Sequence, residues 1–375
     1  MNTYHRLPVT FSSGDGCLLF GTDGKRYLDF GSGIAVNCLG HRHPALLAAL
    51  DGQAKNLFHV SNYYQNDTAE LFAEKLVRAA GMKKVFLCNS GAEANECAVK
   101  IARKYSLKKY GEGRHTIVSL NGSFHGRTIT TLSVTGQERF HKDFGPFTPG
   151  FRFVEPGDTQ GLDAALDGTV CGLLIEAVQG ESGVIPQTAE FIQAAARFCR
   201  ERNILLMFDE IQCGLGRTGS FFAFEGYGVK ADIVTLAKGL AGGIPVGAAL
   251  AGEAVADTLE TGDHGSTFGA NPLAAACGIA VLDIVTDSAF LKSIAEKGLY
   301  FAKKLEANPK ITAVRGRGLM LAADIGVDAW PVLEKLLDNG LLALSAGAKT
   351  LRFLPPYIID MAQIDEGLAI LNRVL

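Results

Sequence analysis

The chain has 375 residues, 47 % of them hydrophobic and 20 % charged, which is too long for one small core and fits a large domain plus a smaller one. A formal net charge of −3 leaves no basic surplus for nucleic acid. No apolar run reaches bilayer-spanning length, and Met1–Phe11 lacks the basic start and apolar stretch of a secretory leader, so a cytoplasmic protein is expected. The eight cysteines include no C-x-x-C pair and read as reduced core residues. His41 and His43 in "GHRHP" have no neighbouring ligand cluster, so no metal is expected.

From Arg6 to Phe30 the pattern is short strands and turns, with Asp15-Gly16 and Asp23-Gly24 as turn signals. Helices are predicted over His43–Lys55 and Thr68–Ala80. Strand and helix then alternate. "KVFLCNS" (Lys84–Ser90) is a buried-strand pattern, and Gly91–Tyr110 is a long helix with Ala94, Cys97, Ala98, Ile101 and Ala102 on one face. Further strands are predicted at Thr116–Leu120, Val170–Val178, Ile204–Glu210, Asp232–Lys238 and Val246–Gly252, with a helix over Glu190–Asn203. This alternation predicts an α/β fold with a mostly parallel central sheet covered by helices. Beyond a helix at Asn271–Val285 the pattern becomes a compact α+β unit, with helices over Leu291–Ala307, Trp330–Asn339 and from Met361. We expect an N-terminal segment, 1–62, packed with the small domain, a large domain over 63–287 and a C-terminal small domain over 288–375.

Ligands of open α/β sheets sit at the carboxyl ends of strands, and the unusual residues fall at such ends. "TLAKGLAGGIPVGAA" (Thr235–Ala249) holds one charge, Lys238. An amine in apolar surroundings loses hydration, which favours its neutral, nucleophilic form. Ser90, Gly91 and Ala92 follow a strand and open a helix, leaving N–H groups free for a phosphate. Asp209 ends the strand "LLMF" and needs a cationic or hydrogen-bonded partner. Gln212 stands three residues on. "GSFHGRT" puts Phe124, which could stack on a planar cofactor, beside His125 and Arg127, which could hold a carboxylate. "GLGRTG" (Gly214–Gly219) matches a dinucleotide fingerprint, but no helical stripe follows it. An NAD-type oxidoreductase built on that loop and a non-catalytic binding protein are the alternatives of other classes.

Together these residues resemble the class III aminotransferases, which use pyridoxal 5′-phosphate. "NSGAEANE", "SFHGRT", "EAVQGESGV", "FDEIQCGLGRTG", "LAKGLAGGIPVGA" and "STFGANPLA" follow the family's order across nearly the whole chain. The resemblance implies the type I, aspartate aminotransferase-like fold, with the cofactor in the large domain. It implies that Lys238 forms the Schiff base with the cofactor and moves the proton. Ser90, Gly91 and Ala92 would bind the phosphate, Phe124 would stack on the ring, Asp209 would pair with the pyridinium nitrogen and Gln212 with the phenolic oxygen. Thr267 resembles the residue that reaches the cofactor of a second subunit, which implies a homodimer with sites at its interface.

Within the family the chain is most similar to acetylornithine aminotransferases, in its compact length and in "DFGSGIAVNCLGH". Ile34 stands where ornithine transaminases place a tyrosine, which favours an acylated amine over free ornithine. By the same resemblance Arg127 would bind the substrate carboxylate, Arg352 a carboxylate of 2-oxoglutarate, and Glu181 would neutralise Arg352 when the amine donor enters. Transamination of N2-acetyl-L-ornithine with 2-oxoglutarate, as in arginine biosynthesis, is the activity implied. The same family acts on ornithine, succinylornithine, succinyldiaminopimelate and 4-aminobutyrate. Two departures are visible: Cys213 where threonine is common, and Ala270 where glycine is common.

Overall fold

Short apolar runs broken by Gly and Asp fold the N-terminus into three antiparallel strands, β1 (Phe11–Asp15), β2 (Leu18–Gly21) and β3 (Arg26–Asp29). The computed structural model describes residues 1–375. Next come β4 (Lys84–Cys88), β5 (Thr116–Leu120), β6 (Phe151–Val154) and β7 (Val170–Ile175). A two-stranded ribbon, β8 (Val178–Gln179) and β9 (Ile185–Pro186), precedes β10 (Leu205–Asp209), β11 (Ile233–Leu236) and β12 (Gly247–Ala251). The C-terminal part adds β13 (Ala313–Arg317), β14 (Met320–Asp324), β15 (Leu341–Leu342), β16 (Leu344–Ser345) and β17 (Thr350–Phe353).

The central sheet has seven strands in the order β4-β12-β11-β10-β7-β5-β6. Every pairing is parallel except those of β12, which runs against both β11 and β4. Helices cover both faces, so β5, β7, β10, β11 and β12 are buried at every position. Each large apolar side chain there, such as Phe208, contributes about 1.5–3 kcal/mol by leaving water. Because β4, β5, β7, β10 and β11 point the same way, their carboxyl ends meet along one edge. That edge carries Ser90, Phe124, Glu176, Asp209 and Lys238.

A second sheet, β13-β14-β17-β16, is antiparallel and belongs to the C-terminal part. β15 pairs in parallel with β3, Leu341 opposite Leu28, so the N-terminal strands share a sheet with the C-terminal part. The core runs on without a break between the parts, through Phe30, Phe301 and Phe353 with ring centroids 5.2–6.2 Å apart. Two strands show no apolar run in the sequence. β6 ("FRFV") and β13 ("AVRGR") are edge strands, half-buried, and their arginines interrupt the signal. No single helix is long and apolar enough to cross a membrane.

Candidate active site

The helix Gly91–Tyr110 begins where β4 ends. Ser90 is its N-cap and accepts from the Glu93 N–H at 3.2 Å, and Lys108 and Lys109 lie in its last turn. The first-turn N–H groups of Gly91 and Ala92 have no carbonyl of their own helix to meet. A Cβ on Gly91 would lie 2.7 Å from Ile211 Cδ1, so a side chain there would displace Ile211. The helix N-terminus opens into a cavity of about 460 Å³. Ser90, Gly91, Ala92, Phe124, Arg127, Asp209, Gln212 and Lys238 all line it.

Asp209 is held at the cavity floor by three donors. Asn95 Nδ2 and His125 Nδ1 each meet Oδ2 at 2.8 Å, and the Ile211 N–H meets Oδ1 at 3.0 Å. A carboxylate oxygen only accepts, so His125 carries its proton on Nδ1 and turns Nε2 to Ser119 Oγ, 3.0 Å away. Asn95 is itself fixed, its Oδ1 accepting from Thr235 Oγ1 at 2.7 Å and its amide donating to the His125 carbonyl. Asn95, Ser119, His125 and Thr235 are all buried, as is Asp209. They set the direction of the Asp209 carboxylate and leave it little freedom to turn.

Lys238 starts a short 3₁₀ turn directly after β11, with φ at 41°. Its amine hydrogen-bonds no protein group and opens to the cavity. Burial pushes its pKa down, outweighing the opposing pull of Glu181 and Asp209. Glu176, at the end of β7, lies in the same cavity and accepts from the Phe124 N–H at 3.2 Å. Burial, and then the nearby Asp209 charge, raise its pKa well above the ordinary carboxyl range. The shift favours the uncharged form, which relieves repulsion with Asp209.

The small sheet reaches Gln212 at the wall of this cavity. Arg352, on β17, is buried, and its Nη1 donates to Glu181 Oε1 at 2.7 Å and to the Gly180 carbonyl at 3.0 Å. Burial pushes the Glu181 carboxyl up, but Arg352 outweighs it and holds Glu181 below its usual value. Gln212 joins this pair: its Oε1 is 3.3 Å from Arg352 Nη1 and its Nε2 is 3.4 Å from Glu181 Oε1. Arg127 is exposed and has no carboxylate partner; its guanidinium lies over Phe140, 3.9 Å from the ring centroid, and 5.6 Å from that of Phe124.

Four of the expected residues do not line this cavity: Glu181 and Arg352, which meet it through Gln212, and Ile34 and Thr267. Ile34 is 41 % exposed in a left-handed turn, Ser32–Ala35, while Val36, two residues on, does line the cavity. Asp29 builds that turn by accepting from the N–H groups of Gly31 and Ser32 and meeting His41 Nε2 at 2.8 Å. Thr267 is exposed on the loop before the helix Pro272–Val285, next to Phe268, which is 63 % exposed. Ala270 on the same loop has φ 61°, a region that costs an L-residue about 1–2 kcal/mol. Ala270→Gly is therefore expected to raise the unfolding free energy by about 1 kcal/mol in urea denaturation.

Sequence reading missed the roles of Asn95, Glu176 and Ile211. Asn95 carried one usable signal, a polar residue on the apolar face of its helix. His125 stood in view beside Phe124, but its Asp209 contact spans 84 residues.

The site offers an anion seat at a helix N-terminus, an amine with a depressed pKa, a rigid carboxylate and two arginines. The whole chain, residues 1–375, matches the family described as aminotransferase class-III. The acetylornithine aminotransferase of Caldanaerobacter subterraneus is 46 % identical over 380 residues, covering all of this chain and 96 % of the relative. The ornithine aminotransferase of Toxoplasma gondii superposes with a TM-score of 0.95 at 34 % identity, covering all of this chain and 91 % of that one. The N-acetylornithine aminotransferase of Stenotrophomonas maltophilia superposes at 0.86 with 36 % identity, over 99 % of this chain and 96 % of that one. Those neighbours are α/β aminotransferases, and the central sheet here has the same class of architecture. With its full length matched and its site residues gathered at the strand ends, the chain belongs to the class-III aminotransferase family.

Proposed function

We propose that the chain is a pyridoxal 5′-phosphate-dependent acetylornithine aminotransferase. It moves the δ-amino group of N2-acetyl-L-ornithine to 2-oxoglutarate, giving N-acetyl-L-glutamate 5-semialdehyde and L-glutamate. One observation carries the reading: the depressed-pKa amine of Lys238 faces a cavity lined by the unpaired Arg127 and by Gln212, which reaches a second arginine paired with a carboxylate, Arg352 with Glu181. An amine donor whose reacting end is uncharged beyond the amine needs Arg352 neutralised. A dicarboxylate acceptor needs it free. The Glu181 pair supplies both states by opening and closing.

The residues present fit the cofactor. The Gly91 and Ala92 N–H groups suit its phosphate, the Phe124 ring suits the pyridine face, and Asp209 suits the ring nitrogen. When bound, pyridoxal phosphate supplies an electron sink for the carbanion formed at the donor carbon. Lys238, whose charge burial disfavours, takes the Cδ proton of the donor and later returns a proton. Asp209 holds its charge in place because His125 and Asn95 leave it one orientation. Arg127 binds the donor's α-carboxylate at the cavity mouth. The apolar surroundings of Lys238, Ala237 and Val246 among them, keep its amine unhydrated.

Overall shape does not separate ornithine from its acetylated form, since the chain superposes on structures of both kinds. The acetyl preference rests on the sequence relatives, including that of Caldanaerobacter, and on Ile34. The proposal includes a homodimer. Thr267 lies outside the cavity of its own chain and beside exposed Phe268, which suits a reach into a second copy. It also includes a cytoplasmic setting, which suits eight free, buried cysteines.

Steady-state assays with 2-oxoglutarate test the reading. kcat/KM for N-acetylornithine should exceed that for ornithine by at least about tenfold. A preference for ornithine would remove the acetyl specificity. Arg352→Ala should raise the KM for 2-oxoglutarate about 10- to 100-fold, the loss of a charge-assisted contact; an unchanged KM would take Arg352 out of the substrate site.

A further inference from the structure

The loop Gly214–Gly219 plays no part in the chemistry above. Its glycines meet protein rather than phosphate. A Cβ on Gly219 would lie 2.8 Å from Ala295 Cβ on the helix Ser288–Glu306, and one on Gly318 would lie 2.6 Å from the Arg217 carbonyl. The loop is thus pressed against the C-terminal part of the chain. At its centre Arg217 is fully buried and has no carboxylate partner. Its Nη1 donates to the carbonyls of Leu319 at 3.0 Å and Pro355 at 2.5 Å. Its guanidinium lies 4.4 Å from the ring centroid of Tyr357, while Nε and Nη2 meet no acceptor. A buried, incompletely satisfied cation is costly to a fold, so its contacts mark what it is there to hold.

Pro355 stands three residues beyond Arg352, just past the end of β17. The preceding residue is gripped from the other side: Ser32 Oγ donates to the Leu354 carbonyl at 2.6 Å, and the Leu354 N–H donates to the Phe30 carbonyl at 2.7 Å. Arg217 itself follows β10, the strand that ends in Asp209 and leads to Gln212. One side chain therefore ties the exit of the strand bearing Arg352 to the loop that leaves the cofactor pocket.

We propose that Arg217 is a positioning residue for Arg352: by fixing the Pro355 carbonyl it sets where Arg352 stands beside Gln212 at the pocket wall, and so tunes recognition of the dicarboxylate oxo acid. This rests on the reading that Arg352 receives a carboxylate of 2-oxoglutarate.

The test uses full-length, cofactor-loaded Arg217→Met, Arg217→Lys and Arg352→Ala. For Arg217→Met the KM for 2-oxoglutarate should rise about tenfold, while that for N-acetylornithine stays within about twofold. The Kd of glutarate, a dicarboxylate that cannot react, should weaken by the same factor in calorimetry. Arg217→Lys keeps the charge but reaches only one carbonyl, and should show a selective rise of about threefold. It carries the test alone if the methionine variant does not fold. Equal shifts in both KM values, or a lower melting temperature with an unchanged KM ratio and glutarate Kd, would mean a merely structural residue and overturn the proposal. If Arg352→Ala raises the KM for 2-oxoglutarate and neither Arg217 variant does, the positioning role alone falls. If Arg352→Ala itself changes nothing, the reading of Arg352 falls and this inference with it.

Discussion

Lys238→Ala should lose transamination by at least about 10⁴-fold in kcat. The expectation follows from position as much as from residue type. Lys238 is the only lysine lining the pocket, its amine faces the cavity without a protein partner, and burial favours its neutral form. No neighbour is placed to replace it: Glu176 is engaged by the Phe124 N–H and Asp209 is fixed by three donors. Borohydride treatment of the cofactor-loaded wild type should leave a covalent adduct that peptide mass mapping places on Lys238. The variant should show none. Turnover within about tenfold of wild type, or an adduct on another lysine, would remove Lys238 from the chemistry.

The same residue makes a stability prediction of opposite sign. Its pKa is depressed in the folded state, so the unfolded chain binds more protons, and stability rises with pH between the folded value and the ordinary value of about 10.4. Below that window the folded apo-protein carries the full burial penalty of the ammonium. Lys238→Met should therefore raise the melting temperature of apo-protein at neutral pH, and the gain should fade as pH climbs through the window. The protein keeps this destabilising amine because the reaction requires it.

Asp209→Asn should cost about 10²- to 10³-fold in kcat. The amide keeps the shape of the carboxylate but removes the charge that holds a pyridine nitrogen protonated. It also puts an N–H group among existing donors. Asn95 Nδ2, His125 Nδ1 and the Ile211 N–H all point at oxygens of Asp209, and two carboxylate oxygens become one amide oxygen and one NH₂. At least one buried donor loses its acceptor, at about 1–3 kcal/mol, so a lower melting temperature should accompany the slower rate. Restored stability from a second change, His125→Phe, without restored rate would separate the two effects. Near-wild-type kcat in Asp209→Asn would refute the electrostatic role.

Much of this site is legible in the sequence because each key residue sits where a strand pattern stops. Lys238, Asp209 and the Ser90–Ala92 turn each follow an apolar run that can only be a buried strand, and the fold places such ends on one edge. Phe124 and Arg127 follow β5 in the same way. What is not legible is the support behind them. His125, Asn95 and Thr235 come from three elements, and their convergence on Asp209 depends on sheet order, which no local pattern encodes. Gln212 shows the limit from the other side. Its place in the cavity follows from the strand end, but its engagement with Arg352 and Glu181 depends on how the small sheet docks. The edge strands β6 and β13 escape notice because their arginines break the apolar pattern. "GLGRTG" shows how a motif can mislead: its spacing matches a dinucleotide loop, yet its glycines make room for a neighbouring helix and turn.

The most direct measurement is a visible absorbance scan of the purified, cofactor-loaded protein. N-acetylornithine, ornithine, succinylornithine and 4-aminobutyrate are added singly, each followed by 2-oxoglutarate. The account predicts that the band of the bound cofactor fades fastest with N-acetylornithine, and that 2-oxoglutarate restores it with release of glutamate. A band that responds fastest to another amine would contradict the proposed substrate, and a band that responds to none of them would contradict the proposed reaction.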